Sequence, residues 1–143
     1  MPVSIINFFT EDTSYTLKNK IAIRQWIKDT IKLEGFKTGE LNFILCSDEY
    51  LHKINVEYLK HDTYTDIITF DNSEEENIIA GDIFISLERI QENADNFNVP
   101  LHEELHRVII HGILHLCGYL DKTPNDKKLM TENEDKYLAL KAF

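Results

Sequence analysis

Apolar positions recur along the chain in two rhythms, one of about two residues and one of three to four, and the switches between them outline the elements. Val3 to Phe9 (VSIINFF) reads as a strand. Leu17 to Leu33 places Ile21, Ile23, Trp26, Ile27 and Ile31 at helical spacing, and Gly35 follows as a stop signal. Glu40 to Cys46 (ELNFILC) reads as a strand, after which Ser47 is placed to cap a helix from Asp48 to about Glu57. Thr65 to Phe70 is a short run rich in β-branched residues, and Ile78 to Ser86 is another, interrupted by Gly81. The polar run Asp71 to Asn77 between them reads as a hairpin loop. Leu87 to Phe97 has a helical pattern. Pro100 opens a further helix that runs to about Cys117 and stops at Gly118, and Lys127 to Lys141 forms the last one. Strands come early and helices late, without strict alternation. This predicts an α+β fold, a small mixed β-sheet of about four strands packed with helices.

Length and composition narrow the class. The 143 residues suit one domain, so residues 1–143 are expected to form a single unit. No charged segment followed by an apolar one marks a secretory leader, and no apolar run approaches the roughly 20 residues that span a bilayer. A cytoplasmic protein with no membrane partner is expected. Cys46 and Cys117 do not form a disulfide framework and read as small buried hydrophobes. The net charge of −10 argues against a protein that grips nucleic acid over its whole surface, so any RNA contact must be local.

The chemistry lies in the fourth helical segment, which holds two histidine pairs. His102-Glu103-Glu104-Leu105-His106 matches the metalloprotease pattern H-E-x-x-H, and His111-Gly112-Ile113-Leu114-His115 is a second H-x-x-x-H. Each pair shares a helix face. Nine residues separate the pairs, which at about 100° per residue is half a turn out of phase, so they cannot easily cooperate. Glu103, Glu104 and Arg107 suggest a largely solvated first half, whereas Val108 to Cys117 is apolar apart from its histidines. Imidazoles on a buried segment need partners, and a metal supplies them. Asp121 arrives six residues after His115, giving H-x-x-x-H-x-x-G-x-x-D, a metzincin-like spacing with a carboxylate in the last place. The corresponding position after His106 is Gly112, which offers no ligand. His111, His115 and Asp121 are therefore the expected metal ligands.

Two neutral imidazoles and one carboxylate suit one catalytic zinc per chain, with a position left open for water or substrate. Another divalent metal, such as iron(II), fits the same donor types, but its facial triads seldom come from one helical H-x-x-x-H. Position 112 is Gly, so the general base of ordinary zincins is absent and peptide hydrolysis by that route is disfavoured.

At these residues a family resemblance enters. HGILHLCGYLD resembles the H-G-x-L-H-L-x-G-Y-D-H signature of the YbeY endoribonucleases, zinc-dependent ribosomal RNA maturation factors of bacteria. Ile54-Asn55-Val56-Glu57-Tyr58 with Thr65-Asp66-Ile67-Ile68-Thr69-Phe70 resembles the family block L-N-x-x-Y-R…T-D-V-L-S-F, and Ala80-Gly81-Asp82-Ile83 resembles L-G-D-I. These blocks fall in order between residues 50 and 121. There are two departures. The family's third ligand is His, and that spacing falls here on Asp121; an alignment that inserts Leu120 would put Lys122 in the ligand place, where an ammonium cannot coordinate. The family Arg after the block's Tyr is replaced by Leu59, with Lys60 next, and Lys does not reproduce a bidentate Arg contact.

The resemblance implies metal binding by His111, His115 and Asp121, and a place near the cleft for the Thr65-Asp66 and Gly81-Asp82 segments. Read on their own, Asp66 and Asp82 are turn-making or capping residues, and Gly81 marks a bulge or a close backbone approach, with substrate among the candidates. The implied activity is zinc-dependent, single-strand-specific endoribonuclease action in ribosomal RNA maturation and small-subunit ribosome quality control. The partners would be single-stranded ribosomal RNA and small-subunit particles, with no DNA partner. Two rivals are a ribosome assembly factor whose metal is only structural and, less favoured, a metalloprotease.

Overall fold

A strand that is apolar on both sides must be covered on both sides, and that requirement places β2 inside the sheet. The computed structural model describes residues 5–143, so the first two residues of the predicted Val3–Phe9 strand lie outside the described residues. The elements are β1 (Ile6–Glu11), α1 (Lys20–Leu33), β2 (Lys37–Cys46), α2 (Asp48–Leu59), β3 (Ile67–Asp71), β4 (Ile78–Ser86), α3 (Leu87–Phe97), α4 (Leu101–Leu116) and α5 (Pro124–Leu140). The sheet order is β1-β2-β4-β3. β1, β2 and β4 run parallel, and β3 pairs antiparallel with β4. The fold is α+β with a four-stranded mixed sheet, as the sequence predicts.

Alternation along the strands sends side chains to two unequal faces. Leu41, Phe43 and Leu45 of β2 join Ile79, Ile83 and Ile85 of β4 in the main core, against Ile23, Trp26, Ile27 and Ile31 of α1 and the apolar face of α4. On the other face Ile44, Cys46, Phe84 and Ile68 form a smaller cluster under Leu51 and Ile54 of α2. α4 packs against α5, α3, α1 and the β3–β4 edge of the sheet at once. That enclosure explains why its second half is apolar nearly all round.

Element ends follow local chemistry. The Ser47 side chain accepts a hydrogen bond from the Tyr50 N–H and caps α2, a contact worth about 1 kcal/mol. Residues 72–77 join β3 to β4 as the expected hairpin loop, with the Asn72 N–H donating to the Ala80 carbonyl at 3.0 Å. Among the boundaries that differ from the pattern reading, three have a local cause. α1 starts at Lys20 rather than Leu17, because Asn19 is left-handed (φ 62°) and ends the preceding segment. β2 starts at Lys37, and an irregularity between Thr38 and Leu41 separates its polar beginning from its apolar end. α5 starts at Pro124, not Lys127: Thr123 and Asp126 form a reciprocal capping box with Pro in the first turn. No helix among the described residues is long and apolar enough to cross a membrane.

Candidate metal centre

The histidine pair occupies the last two turns of α4, and the end of that helix is built to bring the chain back over them. Gly118 adopts φ 108°, a conformation that strains any residue with a side chain. The Gly118 N–H then donates to the His115 carbonyl and the Tyr119 N–H to the Leu114 carbonyl, both at 3.0 Å, the two bonds of a Schellman motif. The reversal puts the Tyr119 carbonyl beside His115 and swings Asp121 over both rings.

The donor atoms converge. The His111 and His115 rings lie 4.5 Å apart, nearly perpendicular at 84°. Asp121 Oδ2 is 3.4 Å from His111 Nε2 and 3.3 Å from His115 Nε2. Ligands about 2.0–2.1 Å from a tetrahedral zinc are spaced by about 3.3–3.4 Å, so both separations match one edge of such a tetrahedron. The rings' other nitrogens are already committed. His115 donates from Nδ1 to the Tyr119 carbonyl at 2.9 Å, and His111 donates from Nδ1 to Glu134 Oε2 at 2.6 Å. A neutral ring with its proton on Nδ1 presents a bare lone pair at Nε2. Two such lone pairs facing a carboxylate oxygen repel one another unless a cation or added protons lie between them. The donor set therefore fits a divalent metal in chemistry and in spacing. Among the described residues, His111, His115 and Asp121 form the group able to hold one, and no fourth His, Cys, Asp or Glu joins it.

The site is shallow. The His111 and His115 side chains are 20% and 24% exposed and Asp121 is 42% exposed, so the group opens to solvent on the Asp121 side. Burial disfavours a charged His111, but the Glu134 carboxylate, with Asp121 and Asp66 nearby, outweighs it and holds the ring above its usual range.

The other histidine pair has a different fate. His102 is exposed and its Nε2 lies 3.5 Å from Glu103, whereas His106 is only 4% exposed. The expectation of a solvated first half of α4 is corrected here, because Glu104 is buried as well. The cover comes from elements distant in sequence: Trp26 and Phe143 meet His106 edge-on, at ring separations of 6.1 and 5.1 Å. Lys141 donates to His106 Nδ1 at 2.8 Å. Burial, together with the Lys141 and His102 charges, pushes the His106 pKa down to about 4. An ammonium on its Nδ1 lone pair repels a metal ion, so His106 is a neutral core histidine.

The glycines in the motif have steric reasons. A Cβ on Gly112 would sit 3.1 Å from Ile67 Cδ1 and 3.2 Å from Ile83 Cγ2, so a zincin glutamate at that position would have to displace both isoleucines. A Cβ on Gly81 would come within 2.3 Å of the Phe70 carbonyl and 3.3 Å of Leu116. The close backbone approach at Gly81 is thus made by β3 and α4, not by substrate, and β4 runs through it without a break. Asp82 points to the opposite face, where Asn42 donates to it at 3.0 Å. Asp66, just before β3, contributes to the field on His111. Cys117 is partly buried, and burial with the nearby Glu34 raises its thiol to about 12, a poor ligand at neutral pH.

Sequence reasoning missed the residues behind the converging histidines and Asp121. Glu134 of α5 is 9% exposed and bridges His111 and Arg107, whose guanidinium donates to Glu134 Oε1 at 2.8 Å and to Asp135 at 2.6 Å. Glu34 receives hydroxyl hydrogen bonds from both Tyr119 and Tyr137, which anchors the turn that carries Asp121. A signal for Glu134 did exist: it lies on the buried stripe of α5 with Met130 and Tyr137, an unusual place for a carboxylate.

Known proteins match this chain along nearly its full length. The family model described as Endoribonuclease YbeY matches residues 6–141. A protein of Christiangramia forsetii named Endoribonuclease YbeY is 53% identical over 135 residues, covering 94% of this chain and 93% of its own. One of the same name from Cytophaga hutchinsonii is 50% identical over 143 residues, covering both chains completely. The solution structure of a Thermotoga maritima protein superimposes with a TM-score of 0.63 at 30% identity, covering 93% of this chain and 86% of that one. On the strength of the family match and the near-complete coverage, this chain belongs to the endoribonuclease YbeY family of hydrolases.

Proposed function

We propose that this protein is a zinc-dependent, single-strand-specific endoribonuclease acting in ribosomal RNA maturation and small-subunit ribosome quality control in the cytoplasm, with His111, His115 and Asp121 as metal ligands. The observation that carries the reading is the convergence of two Nε2 lone pairs on Asp121 Oδ2 at 3.3–3.4 Å, each ring oriented by a fixed oxygen acceptor on Nδ1. Zinc held there supplies a Lewis acid that acidifies water and offsets charge developing on a phosphoryl oxygen. The donor set carries one negative charge, so the loaded site keeps net positive charge, which suits an anionic backbone. The open face beside Asp121 leaves room for a polynucleotide to approach.

Two features support a local RNA contact on an acidic protein. A groove between α2 and β3 is lined by Asn55, Leu59, His61, Thr63, Thr65 and Ile67, with no acidic side chain among them. Its Ile67 wall also packs on Gly112, next to the histidines. A separate cleft, lined by Trp26, Leu33, Tyr137 and Leu140 between α1 and α5, shares no residue with the metal group. The three-donor group favours catalysis over a purely structural metal, since structural zinc sites are closed by four protein ligands. The space at Gly112 disfavours the protease reading.

The test is cleavage of a single-stranded RNA by zinc-loaded protein, with a duplex of the same sequence as the comparison. His115→Ala and Asp121→Ala are expected to abolish cleavage, and the duplex is expected to survive. Cleavage that persists in both variants overturns the assignment.

A further inference from the structure

His111 is singled out from His115 by what holds its outer nitrogen: a side chain instead of a backbone carbonyl. A backbone carbonyl can only accept. Glu134 can be changed, and it is gripped from the other side by Arg107, which can only donate. We infer that Glu134 is a positioning residue for the metal centre, fixing His111 in the tautomer that carries its proton on Nδ1 and offers Nε2 to the cation, while Arg107 occupies the carboxylate's other oxygen. The inference rests on the reading of His111 as a ligand.

Three observations lead to it. Glu134 Oε2 sits 2.6 Å from His111 Nδ1, at the short end for a charge-assisted hydrogen bond. Its other oxygen is taken by Arg107 at 2.8 Å, so the carboxylate cannot rotate away without losing a second bond. The carboxylate is 9% exposed, a costly place for a charge that does no more than tie two helices. Carboxylate–histidine–metal arrays of this kind orient the ring and raise its basicity. They also link α5 to the site: Met130 and Tyr137, on either side of Glu134 along the buried stripe, dock α5 in the core and fix where the carboxylate stands.

Glu134→Gln is a sharp test because Arg107 decides which way the amide turns. The guanidinium claims the amide oxygen, which leaves the NH2 facing His111 Nδ1. An NH2 donor there favours the opposite tautomer, with the proton on Nε2, where it blocks coordination. The proposal is tested by nitrogen-15 NMR of the histidines in metal-free protein at about pH 9.5, roughly three units above the ordinary imidazole pKa so that His111 is neutral although it is held above that range, and by zinc affinity measured against a chromophoric chelator. In the native protein His111 is expected to be protonated on Nδ1, a measurement that needs no variant to fold. Glu134→Gln is expected to move the proton to Nε2 and weaken zinc binding by about 10- to 100-fold. Arg107→Met, which loosens the α4–α5 contact but leaves Glu134 facing His111, is expected to lower the melting temperature while keeping the tautomer and holding zinc affinity to within about threefold, below the range of a lost orienting group. Native His111 protonated on Nε2 overturns the proposal. So does native-like zinc binding in Glu134→Gln when His111→Ala has lost it, and so does equal damage from Arg107→Met, which marks the contact as structural. If His111→Ala itself binds zinc like the native protein, the ligand reading has failed and the inference falls with it, an outcome the other measurements distinguish.

Discussion

The two halves of α4 carry the same spacing of histidines and use it in opposite ways. His102 and His106 sit in a string that matches a metalloprotease motif letter for letter, yet His106 is sealed under Trp26 and Phe143 and its Nδ1 is the acceptor for Lys141. His111 and His115 lack the motif's glutamate, yet each donates from Nδ1 to an oxygen and turns a bare Nε2 toward Asp121. The difference lies in the partner of the outer nitrogen. An acceptor there leaves Nε2 bare and facing Asp121, and a cationic donor there makes the ring part of the core.

The comparison breaks most readily at Asp121, the member that the first pair lacks. Asp121→Ala is expected to weaken zinc binding on the order of 1,000-fold, beyond the loss caused by outer groups, while Asp121→His retains binding. Isothermal titration of zinc into both variants checks this. Completing the protease motif around the second pair is expected to fail for lack of space. In Gly112→Glu the new side chain meets Ile67 and Ile83, so stability should fall by about 3 kcal/mol or more without any gain of peptide cleavage. Chemical denaturation with a casein assay reads both effects.

The neutral state of His106 gives the first pair its own signature. Its folded pKa of about 4 lies below the ordinary value of 6.5, so the unfolded chain binds the proton more readily between the two. The resulting stability is present in full above pH 6.5 and is lost as pH falls toward 4. Relative to His106→Gln, the native protein should lose about 2–3 kcal/mol over that window. Melting curves of the metal-free proteins across pH measure the difference. The smallest effect is expected at His102, which is exposed. His102→Ala should change zinc affinity by less than about twofold, because its contacts are to Glu103 and His106 and not to the 111/115/121 group.

What could be read from the sequence was what lies close along the chain. The 111/115/121 grouping was legible because one helix and one glycine turn place all three side chains, within 11 residues. The same holds for the Ser47 cap, the 72–77 hairpin and the apolar β2 run. What was not legible depends on partners far away in sequence. The burial of His106 is produced by Trp26 of α1 and by Phe143, and Glu104 is buried too, so nearby charges misrepresented that end of α4 as solvated. Glu134 reaches His111 across 23 positions, a pairing that exists only once α5 docks on α4. Gly81 was legible as a close approach, but whether protein or substrate makes it was decided only by the sheet register that sets Asp71 opposite Gly81. The capping box at Thr123 and Asp126 was present in the sequence, three residues before the apolar pattern of α5 becomes regular.

The most direct test is zinc-edge X-ray absorption on the protein loaded with one equivalent of zinc. The expected first shell is nitrogen and oxygen at about 2.0–2.1 Å, with scattering from two imidazoles and no sulfur. A sulfur shell at about 2.3 Å, or scattering from three or more imidazoles, would contradict the assignment of His111, His115 and Asp121.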